Sequence, residues 1–228
     1  AYNNTTSWNE IQASEDWIAS GAERETDLRC WTQETADYWF SKSMEIFDDA
    51  GVKRPIAYRS GAYKYCDTVI RAMGNHNMTQ SYNYNLFPNG RQNFSFGYNQ
   101  NFEWENGVME FPITYVKDEN GDINSNSRID ESTWNLDTSD TFERYYSGQP
   151  STRVMTMILH SFSFLSLDEE GQYHIEDYSK LNSFRNFLGN LPPEYQIVSA
   201  SELQVYLNSG IITSEFTLPL ELISHECE

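Results

Sequence analysis

Two side chains with different chemistry close two separate apolar runs. Arg59 follows Pro55-Ile56-Ala57-Tyr58, and His160 follows Val154-Met155-Thr156-Met157-Ile158-Leu159. A guanidinium is permanently charged, whereas an imidazole exchanges its proton near neutral pH. Apolar runs of this length read as buried strands, and α/β enzymes gather active-site residues at the carboxyl ends of strands. The pattern therefore predicts one converging site with Arg59 and His160 at its rim. Each residue has a plainer reading beside it. Arg59 could serve a structural salt bridge, and His160 could be a core histidine bonded to a backbone carbonyl.

The elements that must carry these residues follow from periodicity. Trp8, Ile11, Trp17 and Ile18 recur at helical intervals and predict a first helix over Trp8–Ala19. A clearer helix has Ala36, Trp39, Phe40, Ser43, Met44 and Phe47 on one face, with Gly51 ending it. Strand Ile56–Arg59 leads into a helix with Cys66, Val69, Ile70 and Met73, closed by Gly74, and strand Met78–Tyr84 follows. Asn106-Gly107 is a hairpin signal, both residues accepting positive φ, and it links Phe102–Trp104 to Val108–Tyr115. Lys117–Asp137 is polar and irregular, and a helix starts near Asp140. Strand Arg153–Leu159, helix Tyr178–Leu188, strand Gln196–Ser199 and helix Ser201–Leu207 complete the series. The alternation predicts an α/β fold with a mainly parallel sheet or barrel, in one domain over 1–228 with an insertion at about 85–137.

Composition narrows the partners. The chain has 228 residues and a net charge of -19, from 34 acidic against 15 basic side chains. Such a field repels nucleic acid and anionic membranes and tolerates a neutral or cationic partner such as an amino-sugar polymer. It also serves solubility. Mean hydropathy is -0.66, and no apolar run approaches a membrane span. Cys30, Cys66 and Cys227 lack both a disulfide framework and metal-ligand spacing, and Cys66 reads as packing. Asn120-x-Asp122-x-Asn124 with Glu131 has calcium-loop spacing but holds Ser125 where that turn needs Gly, so it reads as an acidic loop. Aromatic residues make up 15% of the chain. Tyr82 and Tyr84, at the end of a strand, suit stacking on sugar rings or filling a core beneath long loops.

Three strings together resemble a known family. Pro55-Ile56-Ala57-Tyr58-Arg59-Ser60-Gly61-Ala62-Tyr63 is similar to the Arg-centred motif of the polysaccharide deacetylases, the NodB-homology carbohydrate esterases (carbohydrate esterase family 4). Val154–Ser161, with Leu159-His160-Ser161, resembles their closing Leu-x-His motif, and Gly107–Ile113 resembles a Glu-Phe-Pro strand between the two. The likeness covers about Gly21 to Leu207. It implies a distorted (β/α) barrel and acetyl removal from a sugar polymer, with a divalent metal polarising the acetyl carbonyl and activating water. It further implies that His160 protonates the leaving amine or alcohol and that Arg59 orients an active-site carboxylate. Tyr63, within the Arg-centred string, joins Tyr82 and Tyr84 as a candidate substrate contact.

The chain departs from that family in two places. The Asp-Asp of the family's first strand has no counterpart in position, because Phe47-Asp48-Asp49 falls at a helix end and reads as solvated. The barrel is accordingly expected to lack its first strand. Where relatives hold a His-x-His pair, this sequence holds Glu23 and Glu25. Two carboxylates two residues apart on a strand share a face. They favour Mg²⁺, Ca²⁺ or Mn²⁺ over the Zn²⁺ that the family implies, or else are simply solvated with no metal held. Two further readings stand beside the deacetylase: an inactive relative that binds carbohydrate, and a piece of a longer deacetylase. A secreted or periplasmic location fits the resemblance better than a cytoplasmic one.

Overall fold

The computed structural model describes residues 28, 31–85, 99–115, 120, 154–160, 164–167, 173–175, 178–193 and 195–223. Glu23 and Glu25, the Trp8–Ala19 helix, the Lys117–Asp137 segment apart from Asn120, and the helix near Asp140 lie outside them. The elements are α1 (Gln33–Asp49), β1 (Ala57–Tyr58), α2 (Asp67–Asn75), β2 (Gln80–Ser81), β3 (Phe102–Trp104), β4 (Met109–Glu110), β5 (Leu165–Leu167), β6 (Tyr173–Ile175), α3 (Tyr178–Gly189), α4 (Ala200–Asn208) and β7 (Thr217–Leu218). The chain divides into two compact units. One comprises Ala1–Phe96, Asn101–Phe111 and Ala200–Glu228, the other Gly97–Gln100 and Pro112–Ser199.

In the first unit α1 starts at Thr32, whose hydroxyl accepts from the Thr35 N–H at 3.2 Å. Such a cap is worth about 1 kcal/mol. Ala36, Phe40 and Met44, four residues apart, form its buried stripe. The end of α1 follows from Gly51, which takes φ 64 so that its N–H reaches Asp48 O and the Val52 N–H reaches Phe47 O. Helix α2 ends in the same way with Asn77 at φ 59, the Met78 N–H bonding to Met73 O at 2.9 Å. The stop expected at Gly74 is therefore displaced. Gly74 sits within α2 because the Asn106 amide crosses it to donate to Ile70 O at 2.9 Å. A Cβ at residue 74 would lie 2.7 Å from Asn106 Nδ2.

A five-stranded sheet runs in the order β1-β2-β4-β3-β7. β1, β2 and β4 are parallel; β3 runs antiparallel to β4 and parallel to β7. The β3–β4 turn is a hairpin, as expected, but of another type. Gly107 alone takes positive φ (83°), and its N–H bonds to Trp104 O at 2.8 Å across a three-residue loop, Glu105–Gly107. In such a loop only the last residue is left-handed, so Asn106 is not, and its side chain reaches α2. One apolar cluster joins the α1 stripe, the α2 face (Val69, Ile70, Ala72, Met73) and the sheet residues Phe102, Trp104 and Leu218. Helix α4 is tied to β2 through polar groups, Gln80 Nε2 donating to Ala200 O at 2.9 Å and Thr79 to Gln204 Oε1 at 2.6 Å.

The second unit contains the β5–β6 hairpin, paired Leu165 to Ile175 and Leu167 to Tyr173, and helix α3, which buries Phe187. The expected helices at 178–188 and 201–207 are thus present as α3 and α4. Of the expected strand Arg153–Leu159, residues 154–159 are described and are not a strand, nor are 196–199. Thr114 N–H bonds to Thr156 O at 3.0 Å, but the Thr156 N–H bonds to the Thr114 hydroxyl at 2.8 Å. A side chain takes the place that a ladder carbonyl would fill.

Candidate functional site

The strand register fixes the candidate site. Tyr58 pairs with Ser81, and Ser81 with Glu110, so these three form the last row across parallel β1, β2 and β4. Arg59 is the next residue of its strand, and Tyr82 and Phe111 continue theirs. This is the sheet edge at which ligands bind in open α/β folds.

Arg59 is exposed, while Ser60 after it is fully buried. The Arg59 guanidinium lies over the Tyr63 ring, 5.3 Å from its centroid, and its Nη1 donates to Ser60 O at 3.3 Å. Tyr63 closes a short 3₁₀ turn, Gly61–Tyr63, at φ 56. That conformation costs an aromatic residue about 1 kcal/mol or more and persists where surrounding contacts enforce it. Ser60, just before that turn, is anchored: its N–H and its hydroxyl both donate to Asn83 Oδ1, at 2.7 and 2.8 Å.

Beneath this rim lies an acid. Glu110 is 0% exposed. Its Oε1 accepts from the Asn83 and Tyr84 backbone N–H groups at 2.7 and 2.8 Å. Its Oε2 accepts from Trp104 Nε1 at 3.1 Å and closely from the Ser81 hydroxyl. Asn83 Nδ2 in turn donates to Ser81 Oγ at 3.0 Å. Burial pushes the Glu110 carboxyl up from the ordinary range, and the donors from Ser81, Tyr84, Trp104 and Asn83 pull it back down. Neither Glu110, within Glu-Phe-Pro, nor Ser60, within the Arg-centred string, is given a role by the sequence. The available signal was a lone acid inside the apolar run Val108–Pro112, since a buried charge must find partners.

The aromatic residues separate into two groups. Tyr82 is half-buried, stacks on Phe111 at 5.5 Å and donates to Gln80 Oε1 at 3.0 Å. Burial pushes its hydroxyl up to about 12, with the Glu110 charge adding to the effect. Tyr84, expected as a sugar contact, is 1% exposed and meets Phe102 edge-on at 5.7 Å, so its ring fills the core.

In the second unit His160 is half-buried at the end of residues 154–160, after the buried Ile158 and the exposed Leu159. Among the described residues no three His, Cys, Asp or Glu side chains gather where they could hold a metal ion. The Glu110 oxygens are already surrounded by donors, and Glu23 and Glu25 are outside the described residues. Asp48 and Asp49 are exposed at the end of α1, as the sequence implied. Arg54 Nε donates to Asp48 Oδ1 at 2.8 Å and holds that carboxyl below its usual range. Cys66 is buried at the start of α2, with Sγ donating to Leu28 O at 3.0 Å, and burial pushes its thiol up. No helix among the described residues is long and apolar enough to cross a membrane. Comparison of the chain with protein-family models, with curated proteins and with solved structures finds no match in any of the three.

Proposed function

We propose that the chain is a polysaccharide-deacetylase-like hydrolase that removes acetyl groups from a sugar polymer by metal-assisted hydrolysis within a NodB-type (β/α) fold. One observation carries the reading. Arg59 follows β1 and Glu110-Phe111-Pro112 ends β4, so two of the three family-like strings end on the same sheet edge with only β2 between them. Exposed Arg59 over the Tyr63 ring provides a charged, flat surface for a glycan, and Tyr82 supplies a second ring near it in sequence to the strand row. In this reading His160 protonates the departing amine or alcohol as the acetyl carbon–heteroatom bond breaks. The divalent ion of the family falls to Glu23 and Glu25.

Acetate release from acetylated chito-oligosaccharide and acetylated xylan tests the proposal, with the bound metal measured on the same sample. Release by the wild-type chain and a loss of about 100-fold or more in His160→Ala support it. A folded wild-type chain that releases no acetate from either polymer overturns it. A second reading, a carbohydrate-binding relative without chemistry, is favoured by the sealing of Glu110, the acid of the strand row. It predicts metal-free binding of the same oligosaccharides that survives His160→Ala unchanged.

A further inference from the structure

Arg59 is exposed; among the described residues its guanidinium meets the Tyr63 ring and Ser60 O, and its charge acts on the Tyr58 hydroxyl. Its backbone is held on one side by the Tyr82 N–H, which donates to Tyr58 O at 3.0 Å, and on the other by Ser60, whose N–H and hydroxyl both donate to one atom, Asn83 Oδ1. Asn83 is held from both ends by the same acid: its backbone N–H bonds to Glu110 Oε1, and its Nδ2 bonds to Ser81 Oγ, which donates to Glu110 Oε2. Ser60, Ser81, Asn83 and Glu110 are all 0% exposed, so water cannot substitute for any of these bonds. An apolar side chain would fill the Glu110 position with less desolvation. It could not, however, accept from the Asn83 and Tyr84 N–H groups, which leave β2 and need an acceptor.

We propose that Glu110 is a positioning residue that fixes Arg59 through Asn83 and Ser60, without touching substrate itself. The proposal rests on the reading of Arg59 as part of the substrate site. In Glu110→Gln, Oε1 keeps the two backbone N–H groups while Nε2 is set against the Trp104 N–H, donor against donor. In Glu110→Gln/Trp104→Phe that conflict is gone, and Nε2 donates to Ser81 Oγ.

The test is residue-resolved amide exchange of the full chain by NMR, together with the Arg59 Nε–H signal and acetate release from acetylated chito-oligosaccharide. In Glu110→Gln, exchange at Ser60, whose N–H and hydroxyl bond to Asn83 and not to Glu110, is expected to quicken at least tenfold. The Arg59 signal moves and kcat/KM falls at least tenfold, while the double variant returns all three to within about threefold of wild type. Faster exchange at Asn83 and Tyr84 with Ser60 unchanged overturns the proposal, as does a double variant that restores none of the three. If Glu110→Gln does not fold, Ser81→Ala decides, because it cuts the link from Glu110 to the Asn83 side chain without removing a hydrogen bond of Ser60. A quickened Ser60 amide with a shifted Arg59 signal supports the proposal, and a wild-type rate at Ser60 overturns it. A wild-type chain that releases no acetate counts against the deacetylase reading alone, because exchange and the Arg59 signal still report on positioning.

Discussion

At the carboxyl ends of β1, β2 and β4 two polar arrangements lie next to each other in sequence and differ in almost every physical respect. Ser60, Ser81, Asn83 and Glu110 are sealed, and each bonds to another member of the set. Arg59, one residue before Ser60, is exposed, with a ring beneath it and, among the described residues, the Ser60 carbonyl as its acceptor. The interior set is costly to build and costly to break, because each of its groups has given up water. The rim adds little to folding and keeps its outer edge open. A charged tip at a strand end thus stands on a fixed, dry base.

The largest way to break the comparison is Glu110→Ala. It strands two backbone N–H groups, an indole N–H and a serine hydroxyl, and is expected to lower unfolding free energy by about 3–5 kcal/mol in denaturant titration. A loss under about 1 kcal/mol would mean that water enters and the interior is not sealed.

Alkaline pH acts next. Burial pushes the Tyr58 and Tyr82 hydroxyls up to about 12 from an ordinary value of 10.0. The folded chain thus holds these protons more tightly than the unfolded chain, and stability falls as pH rises between those values. The loss reaches about 3 kcal/mol per phenol. Tyrosinate absorbance also tells the two regions apart. The Arg59 charge lowers Tyr58, so Arg59→Gln moves that titration up, whereas the Glu110 charge raises Tyr82, so Glu110→Gln moves that one down.

Trp104→Phe removes one of the donors to Glu110 and is expected to cost about 1–3 kcal/mol, read as a lower denaturant midpoint at unchanged slope. The smallest effect on folding sharpens the comparison most. Arg59→Gln should change stability by no more than about 0.5 kcal/mol, yet reduce acetate release from acetylated oligosaccharide at least tenfold. Equal losses in folding and activity would place Arg59 with the interior set instead.

Much of the framework was legible from local pattern. The α1 stripe of Ala36, Phe40 and Met44, the stop at Gly51, the β3–β4 hairpin, and helices α3 and α4 follow from periodicity and turn chemistry, which act over a few residues. Misreadings arose where a distant group intervened. Gly74 reads as a helix stop, but its small size serves the Asn106 side chain and Asn77 ends the helix. The apolar run at 154–159 reads as a strand, but the Thr114 hydroxyl occupies the Thr156 N–H. Tyr84 reads equally as a sugar platform or a core ring, and only its packing on Phe102 distinguishes them.

By itself, the order of residues determined that Arg59 closes an apolar run, that Glu110 stands alone among apolar neighbours, and that helices and strands alternate. Periodicity and charge are properties of neighbours along the chain, and they survive without a fold. Only tertiary structure decided that Ser60, Asn83 and Glu110, brought in by three separate strands, share one dry network with Arg59 outside it. Hydrogen bonds between strands depend on register, and register is set by packing of the whole sheet against its helices, not by any one segment.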